Sequence, residues 1–178
     1  MLTPTSNIEN KRHRSLFIIC PFSQLEAYII SEFGNQSCFL TAAGSVLFLD
    51  QDQYPEAIKD FLIREEIEEI VAVNDYGSVF IRNAMNEAYE PVIETASVLH
   101  RIYQENHTEI NSLESHEKKC RYLSLLNCNR QITELLQCEV IGKVIQRNKI
   151  QLKCLVLNSK SKDAKLIEYN KIAAGNEF

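Results

Sequence analysis

Short, uninterrupted apolar runs, each followed closely by a polar turn and a stretch of helical periodicity, constrain this chain more than any other feature. Leu16-Phe17-Ile18-Ile19-Cys20, ended by Pro21, suits a strand buried on both faces, as in a parallel sheet. Ser23-Gln24-Leu25-Glu26 has the S-x-x-E form of a capping box, and Leu25, Tyr28, Ile29 and Glu32 continue a helix that Gly34 closes. Residues 38–42 read as a second strand. Pro55 then suits the first position of a helix carrying Ala57, Ile58, Phe61 and Leu62, with the charge run 64–69 as a solvated face. Residues 70–73 form a third apolar run, ending in the polar turn Asn74-Asp75-Tyr76-Gly77-Ser78, from which Val79, Phe80, Ala84 and Met85 start another helix.

The second half is mostly helical. Pro91 is expected to open a helix with Val92, Ala96, Leu99 and Tyr103 on one face, and residues 106–112 are polar enough for a loop. Asn111 with Glu114 can cap a long helix over 113–136, and Val140, Val144 and Ile145 suggest a short one after it. Residues 150–157 read as a strand and 166–169 as an edge strand. Such alternation predicts an α/β fold, a single domain built on a mainly parallel β-sheet flanked by helices.

Composition agrees with one globular domain and narrows its partners. A chain of 178 residues buries roughly 70% of its extended surface, so it folds without metal or disulfide. Residues 1–14 read as a flexible polar leader, and residues 15–178 as the domain. The net charge of −5 disfavours a phosphate backbone, so no nucleic-acid partner is expected. No apolar run approaches the 18 or so residues that a membrane span needs. The N-terminal residues lack the pattern of a secretory signal, which makes the cytoplasm the expected compartment. Six cysteines are scattered without a C-x-x-C pair, which excludes a zinc knuckle; Cys38, Cys120, Cys128, Cys138 and Cys154 read as packing residues. His13, His100, His107 and His116 read as exposed or capping.

In open parallel sheets ligands bind beyond the carboxyl ends of the strands. Two turns take that position here, residues 20–24 and 74–78, and they carry a resemblance. The chain resembles the beta-class carbonic anhydrases over residues 15–169. That family's C-x-D-x-R, often with Ser fourth, is matched by Cys20-Pro21-Phe22-Ser23-Gln24, where Asp has become Phe22 and Arg has become Gln24. Its R-N-A-G is matched by Thr41-Ala42-Ala43-Gly44, and its G-H-x-x-C by Asn74-Asp75-Tyr76-Gly77-Ser78, with both metal ligands replaced. Its late N-V-x-x-Q-V-x-x-L helix is matched best, by Asn127-Cys128-Asn129-Arg130-Gln131-Ile132-Thr133-Glu134-Leu135.

The resemblance implies a zinc site of Cys, His and Cys, whose fourth position holds a water acidified to a pKa of about 7. The matching trio is Cys20, Asp75 and Ser78, and a neutral serine hydroxyl is a poor zinc ligand. The expectation is therefore a noncatalytic relative with a degenerate site at Cys20, Phe22, Gln24, Asp75 and Ser78, no cofactor, and action through binding or assembly. A homodimer is what the resemblance implies. One alternative is a zinc-dependent lyase or hydrolase with Cys20 and Asp75 as ligands; another is metal-free thiol chemistry at Cys20, whose pKa a following helix N-terminus can lower. Asp75 reads either as a general base or as a turn carboxylate. Phe22 can fill the metal's place, or the vacated pocket stays open to bind a small anion; the sequence leaves both readings.

Overall fold

The computed structural model describes residues 14–50, 53–86, 88, 90–161 and 163–169. Five strands, β1 (Ser15–Ile19), β2 (Ser37–Thr41), β3 (Glu69–Asp75), β4 (Gln151–Asn158) and β5 (Asp163–Glu168), form one sheet in the order β2-β1-β3-β4-β5. The first four are parallel, with Phe17 beside both Phe39 and Val71, and Ala72 beside Cys154. β5 closes the edge antiparallel, Leu155 facing Leu166. The continuous apolar runs give β1 and β3 because both strands are central and buried on both faces.

Alternation along the strands divides the core. Phe17, Ile19, Val71, Val73, Leu155 and Leu157 pack under α1 (Glu26–Phe33) with Leu25 and Ile29. On the opposite face, Leu16, Ile18 and Ile70 meet Ile58 and Leu62 of α2 (Tyr54–Arg64) and Ile141 and Ile145 of α7 (Glu139–Asn148). Ala72, Cys154 and Val156 meet α3 (Val79–Ala84), α4 (Glu94–Glu105) and the long α6 (His116–Gln137) through Ile81, Leu99, Leu123, Cys128 and Ile132. The connections leaving β1 and β3 therefore go to opposite faces, which opens a crevice between the carboxyl ends of these adjacent strands. Among the described residues no helix is long and apolar enough to cross a membrane.

Several local expectations are corrected. Ser23 caps no helix: Pro21–Ser23 form a 3-10 turn, closed by Ser23 N–H to Cys20 O at 3.0 Å. Gln24 follows in the left-handed region (φ 51°), and α1 begins only at Glu26. Asn74 and Asp75 are strand, not turn, because β4 extends far enough to pair them with Val156 and Leu157. Pro91 opens no helix, since Ile93 is extended (φ −121°, ψ 151°) and α4 starts after it, leaving Val92 90% exposed. Residues 106–112 are not a loop: buried Ile110 anchors a short helix, α5 (His107–Ser112). Ser115, rather than Asn111, caps α6 through Lys118 N–H; Asn111 instead donates to the Tyr103 hydroxyl.

The charge run 64–69 is not wholly solvated either. Glu69 is buried at the start of β3, where it pairs with Lys153 Nζ and accepts from Ser15 Oγ. Of the leader, residues 1–13 lie outside the described residues. Arg14 is fixed to the domain, its guanidinium donating to Glu65 O at 3.0 Å and its carbonyl accepting Glu68 N–H at 2.9 Å.

Candidate functional site

The crevice is built from the chain leaving β1, the chain following β2, and the end of β3. Cys20 is 5% exposed, and its extended backbone (φ −82°, ψ 123°) continues the alternation of β1 onto the face of Leu16 and Ile18. There Sγ accepts a hydrogen bond from Gly44 N–H at 3.2 Å. Gly44 lies in the 3-10 turn Ala43–Ser45 and is left-handed (φ 58°), as is Ser45 (φ 55°). A side chain at Gly44 has no room, because a Cβ would sit 2.8 Å from Thr95 Cγ2 and 3.1 Å from Leu99 Cδ1.

The same segment is clasped from α6. Asn127 Nδ2 donates to Gly44 O at 3.1 Å, Gln131 Nε2 donates to Asn127 Oδ1 at 3.1 Å, and Gln131 Oε1 accepts Leu47 N–H at 2.8 Å. Both side chains are buried. Residues four apart share a helix face, so one polar pair satisfies backbone groups on a stretch with no ladder of its own.

Asp75 belongs to the other side of the sheet, with the parity of Val71 and Val73. Its carboxylate is fully engaged: Oδ1 accepts from Gly77 N–H (2.8 Å) and Ser159 N–H (3.3 Å), and Oδ2 from Ser159 Oγ (2.7 Å). That is the turn-carboxylate reading, with the strand end of β4 as partner. Ser78 is the N-cap of α3, accepting Ile81 N–H at 3.3 Å. Phe22, the side chain that could have filled the metal's place, is 73% exposed, with its ring centroid 6.0 Å from that of Phe80. Pro21 turns the chain outward at this point, so Phe22 leaves the crevice instead of filling it. Gln24 is exposed at an open recess of about 360 Å³ that it lines with Ser23, Tyr28, Asn158 and Ser159.

No protein-family model matches the sequence, and no curated protein does. Solved structures do match. A carbonic anhydrase described among two tetrameric beta-class enzymes from Sordaria macrospora is 12% identical, with 87% of this chain and 80% of that one covered at a TM-score of 0.69. The beta-carbonic anhydrase CafA of Aspergillus fumigatus is 18% identical over 89% and 76%, with a TM-score of 0.71. A Coccomyxa beta-carbonic anhydrase in complex with acetazolamide is 11% identical over 92% and 83%, with a TM-score of 0.67. This chain has the beta-carbonic-anhydrase fold.

The zinc that this fold implies can be tested against the donors present. Zinc takes three protein donors whose lone pairs converge on one point. Here the Ser78 hydroxyl accepts a helix N–H, the Asp75 carboxylate is held by Gly77 and Ser159, and Cys20 lies on the opposite parity from Asp75. Among the described residues no three His, Cys, Asp or Glu side chains gather as a ligand set. The three described histidines supply none: His100 bonds Ala84 O at 2.9 Å, His116 lies 3.5 Å from Cys120 Sγ, and His107 packs on the Tyr103 ring. His13 lies outside the described residues. The residues at these positions do not fit the metal.

Sequence reasoning missed a second cluster beside the crevice. Tyr76, buried just past β3, donates to Asp163 Oδ2 at 3.2 Å; Arg121 donates to the Tyr76 hydroxyl at 3.0 Å and also pairs with Asp163 and Glu117. Burial pushes the Tyr76 phenol up, while the Arg121 guanidinium holds the Asp163 carboxyl below the usual carboxylate range. The cluster ties β5 to α6. Nothing local in Tyr76, Arg121 or Asp163 announces it, since it joins residues 45 and 42 positions apart.

Proposed function

We propose that this chain is a noncatalytic protein on the beta-carbonic-anhydrase fold, without a resident metal, acting through binding or assembly. The observation that carries the reading is the engagement of each ligand-position side chain by the chain's own groups: Cys20 with Gly44, Asp75 with Gly77 and Ser159, Ser78 with Ile81. A hydratase needs an acidified water on an open metal position, and no donor set among the described residues supports one. The test is elemental analysis of untagged protein purified without chelator, with stopped-flow CO₂ hydration on the same sample. The reading expects near-zero zinc and the buffer's hydration rate. One zinc per chain with hydration above buffer overturns it.

The assembly proposed is a homodimer. Its support is the contrast between the two sheet edges. β5 carries Asp163 and Lys165, whereas β2 (Ser-Cys-Phe-Leu-Thr) has no charge or proline and pairs only with β1 among the described residues. An uncharged, unbroken edge is a template for strand pairing. Sedimentation of the intact protein checks this, and a monomer at tens of micromolar refutes it. Six free thiols support a reducing compartment such as the cytoplasm.

A further inference from the structure

Three buried side-chain atoms have no hydrogen-bond partner among the described residues: Ser45 Oγ, Asn74 Nδ2 and Ser124 Oγ. Their residues are 2%, 4% and 0% exposed, and a buried polar atom without a partner calls for an explanation. The three belong to the 43–45 turn, the end of β3 and α6, and β3 packs against both of the others. α6 runs antiparallel to β3, as Arg121 bonds Tyr76, Cys128 Sγ bonds Ala72 O, and Leu135 packs with Ile70. One helical turn back from Cys128 is about 6 Å and reaches Ser124; two residues on from Ala72 is about 6.6 Å and reaches Asn74, on the same strand face. Ser124 therefore lies over Asn74. Ser45 joins them because the preceding Gly44 is bonded to Asn127, which shares a helix face with Ser124.

We infer that Ser45, Asn74 and Ser124 form a binding site for an ordered internal water between the end of β3, the 43–45 turn and α6. The groups suit it: the Asn74 amide donates to the water oxygen, and the two serine hydroxyls accept its hydrogens, giving the three bonds typical of a buried water. All three groups are neutral, so the site needs no counter-charge to hold a neutral water. Ser45 is left-handed (φ 55°), and sparsely populated backbone of this kind persists where surrounding contacts fix it. The inference does not depend on the noncatalytic reading, since metal content decides that one and bound water decides this one.

The test is a high-resolution crystal structure of the intact protein, with thermal melts of Ser124→Ala and Ser45→Ala. The expected result is a density peak within hydrogen-bond distance of all three atoms, weakened or lost in Ser124→Ala, with a lower melting temperature for both variants because a bridged water loses a partner. A dry junction gives the opposite sign, because deleting an unpaired buried hydroxyl relieves its desolvation cost. Absence of the peak, or a melting temperature that rises in both variants, overturns the inference.

Discussion

Gly44→Ala is the substitution that strikes the crevice hardest for the smallest change in chemistry. Gly44 sits at φ 58° with its N–H on Cys20 Sγ and its carbonyl on Asn127. An L-residue in the left-handed region costs roughly 1–2 kcal/mol. The added methyl would also lie 2.8 Å from Thr95 Cγ2 and 3.1 Å from Leu99 Cδ1. Thr95 and Leu99 are 6% and 0% exposed, so neither can swing into solvent, and forced overpacking costs about 1–3 kcal/mol. Together these give about 2–5 kcal/mol. At the 2–4 °C per kcal/mol of a domain this size, the melting temperature falls by roughly 4–20 °C. Differential scanning calorimetry reads this directly, and Thr95→Ser in the same background, which removes Cγ2 and keeps the hydroxyl, should recover part of the loss as a positive coupling in a double-mutant cycle. Gly34→Ala is the control: it shares a positive φ (96°) but its Cβ would meet nothing within 4 Å, so Thr95→Ser should not rescue it. An unchanged melting temperature for Gly44→Ala, or equal effects of Thr95→Ser in both backgrounds, refutes the steric argument.

Other consequences are checked more simply. Gln131→Ala leaves the buried Leu47 N–H and the Asn127 side-chain Oδ1 without their partner and should cost about 1–3 kcal/mol, measured by urea unfolding; a loss no larger than at an exposed glutamine would show that the clasp contributes nothing. Arg121 depresses the Asp163 carboxyl, so the stability this ion pair contributes is complete above the unfolded carboxylate's pKa and is lost as pH falls through the lower folded value. Wild type should therefore lose more stability than Asp163→Asn between about pH 5 and pH 2, and parallel acid titrations of the two proteins would disprove it. In alkylation followed by mass spectrometry, half-exposed Cys138 should label first at neutral pH, ahead of Cys38, whose thiol burial and Glu65 push up. Cys120, pushed to about 11 by burial, and buried Cys20, Cys128 and Cys154 should wait for unfolding; rapid labelling of Cys20 in the native protein would instead revive thiol chemistry there.

The strand-turn-helix order was legible because a central parallel strand must be apolar on both faces, and residues 16–19 and 70–73 satisfy that in any context. Boundaries were less so. The S-x-x-E at Ser23 has the form of a cap, but Pro21 draws the chain into a 3-10 turn first. Residues 106–112 look polar because a short helix with a single buried residue, Ile110, has almost no amphipathic signal. Glu69 shows the limit most clearly: its burial depends on Lys153, 84 positions away, and no local reading of a charge run contains its partner. Within the site, positions could be named in sequence but their faces could not. Whether Asp75 points with Cys20 or away from it depends on where β3 ends, and β4 extends β3 two residues beyond its apolar run.

The best-matched segment of the family resemblance is also the one with a role independent of metal. Asn127 and Gln131 stand on a helix face otherwise occupied by Leu123, Cys128, Ile132 and Leu135, and two amides four residues apart in such company are a readable signal that something polar and buried lies opposite. What lies opposite is backbone: Gly44 O and Leu47 N–H, in a segment that returns from the sheet edge across the crevice without strand or helix to satisfy it. The clasp satisfies these backbone groups whatever chemistry the crevice performs. Cys20 fits the same account, since its thiol accepts the Gly44 N–H and so secures the other end of the glycine that Asn127 holds. Cys20, Gly44, Asn127 and Gln131 thus each have a role in folding alone, whereas at the positions that differ from the family pattern Phe22 and Gln24 are exposed, Ser78 accepts Ile81 N–H, and Asp75 is spent on Gly77 N–H and on Ser159 at the end of β4.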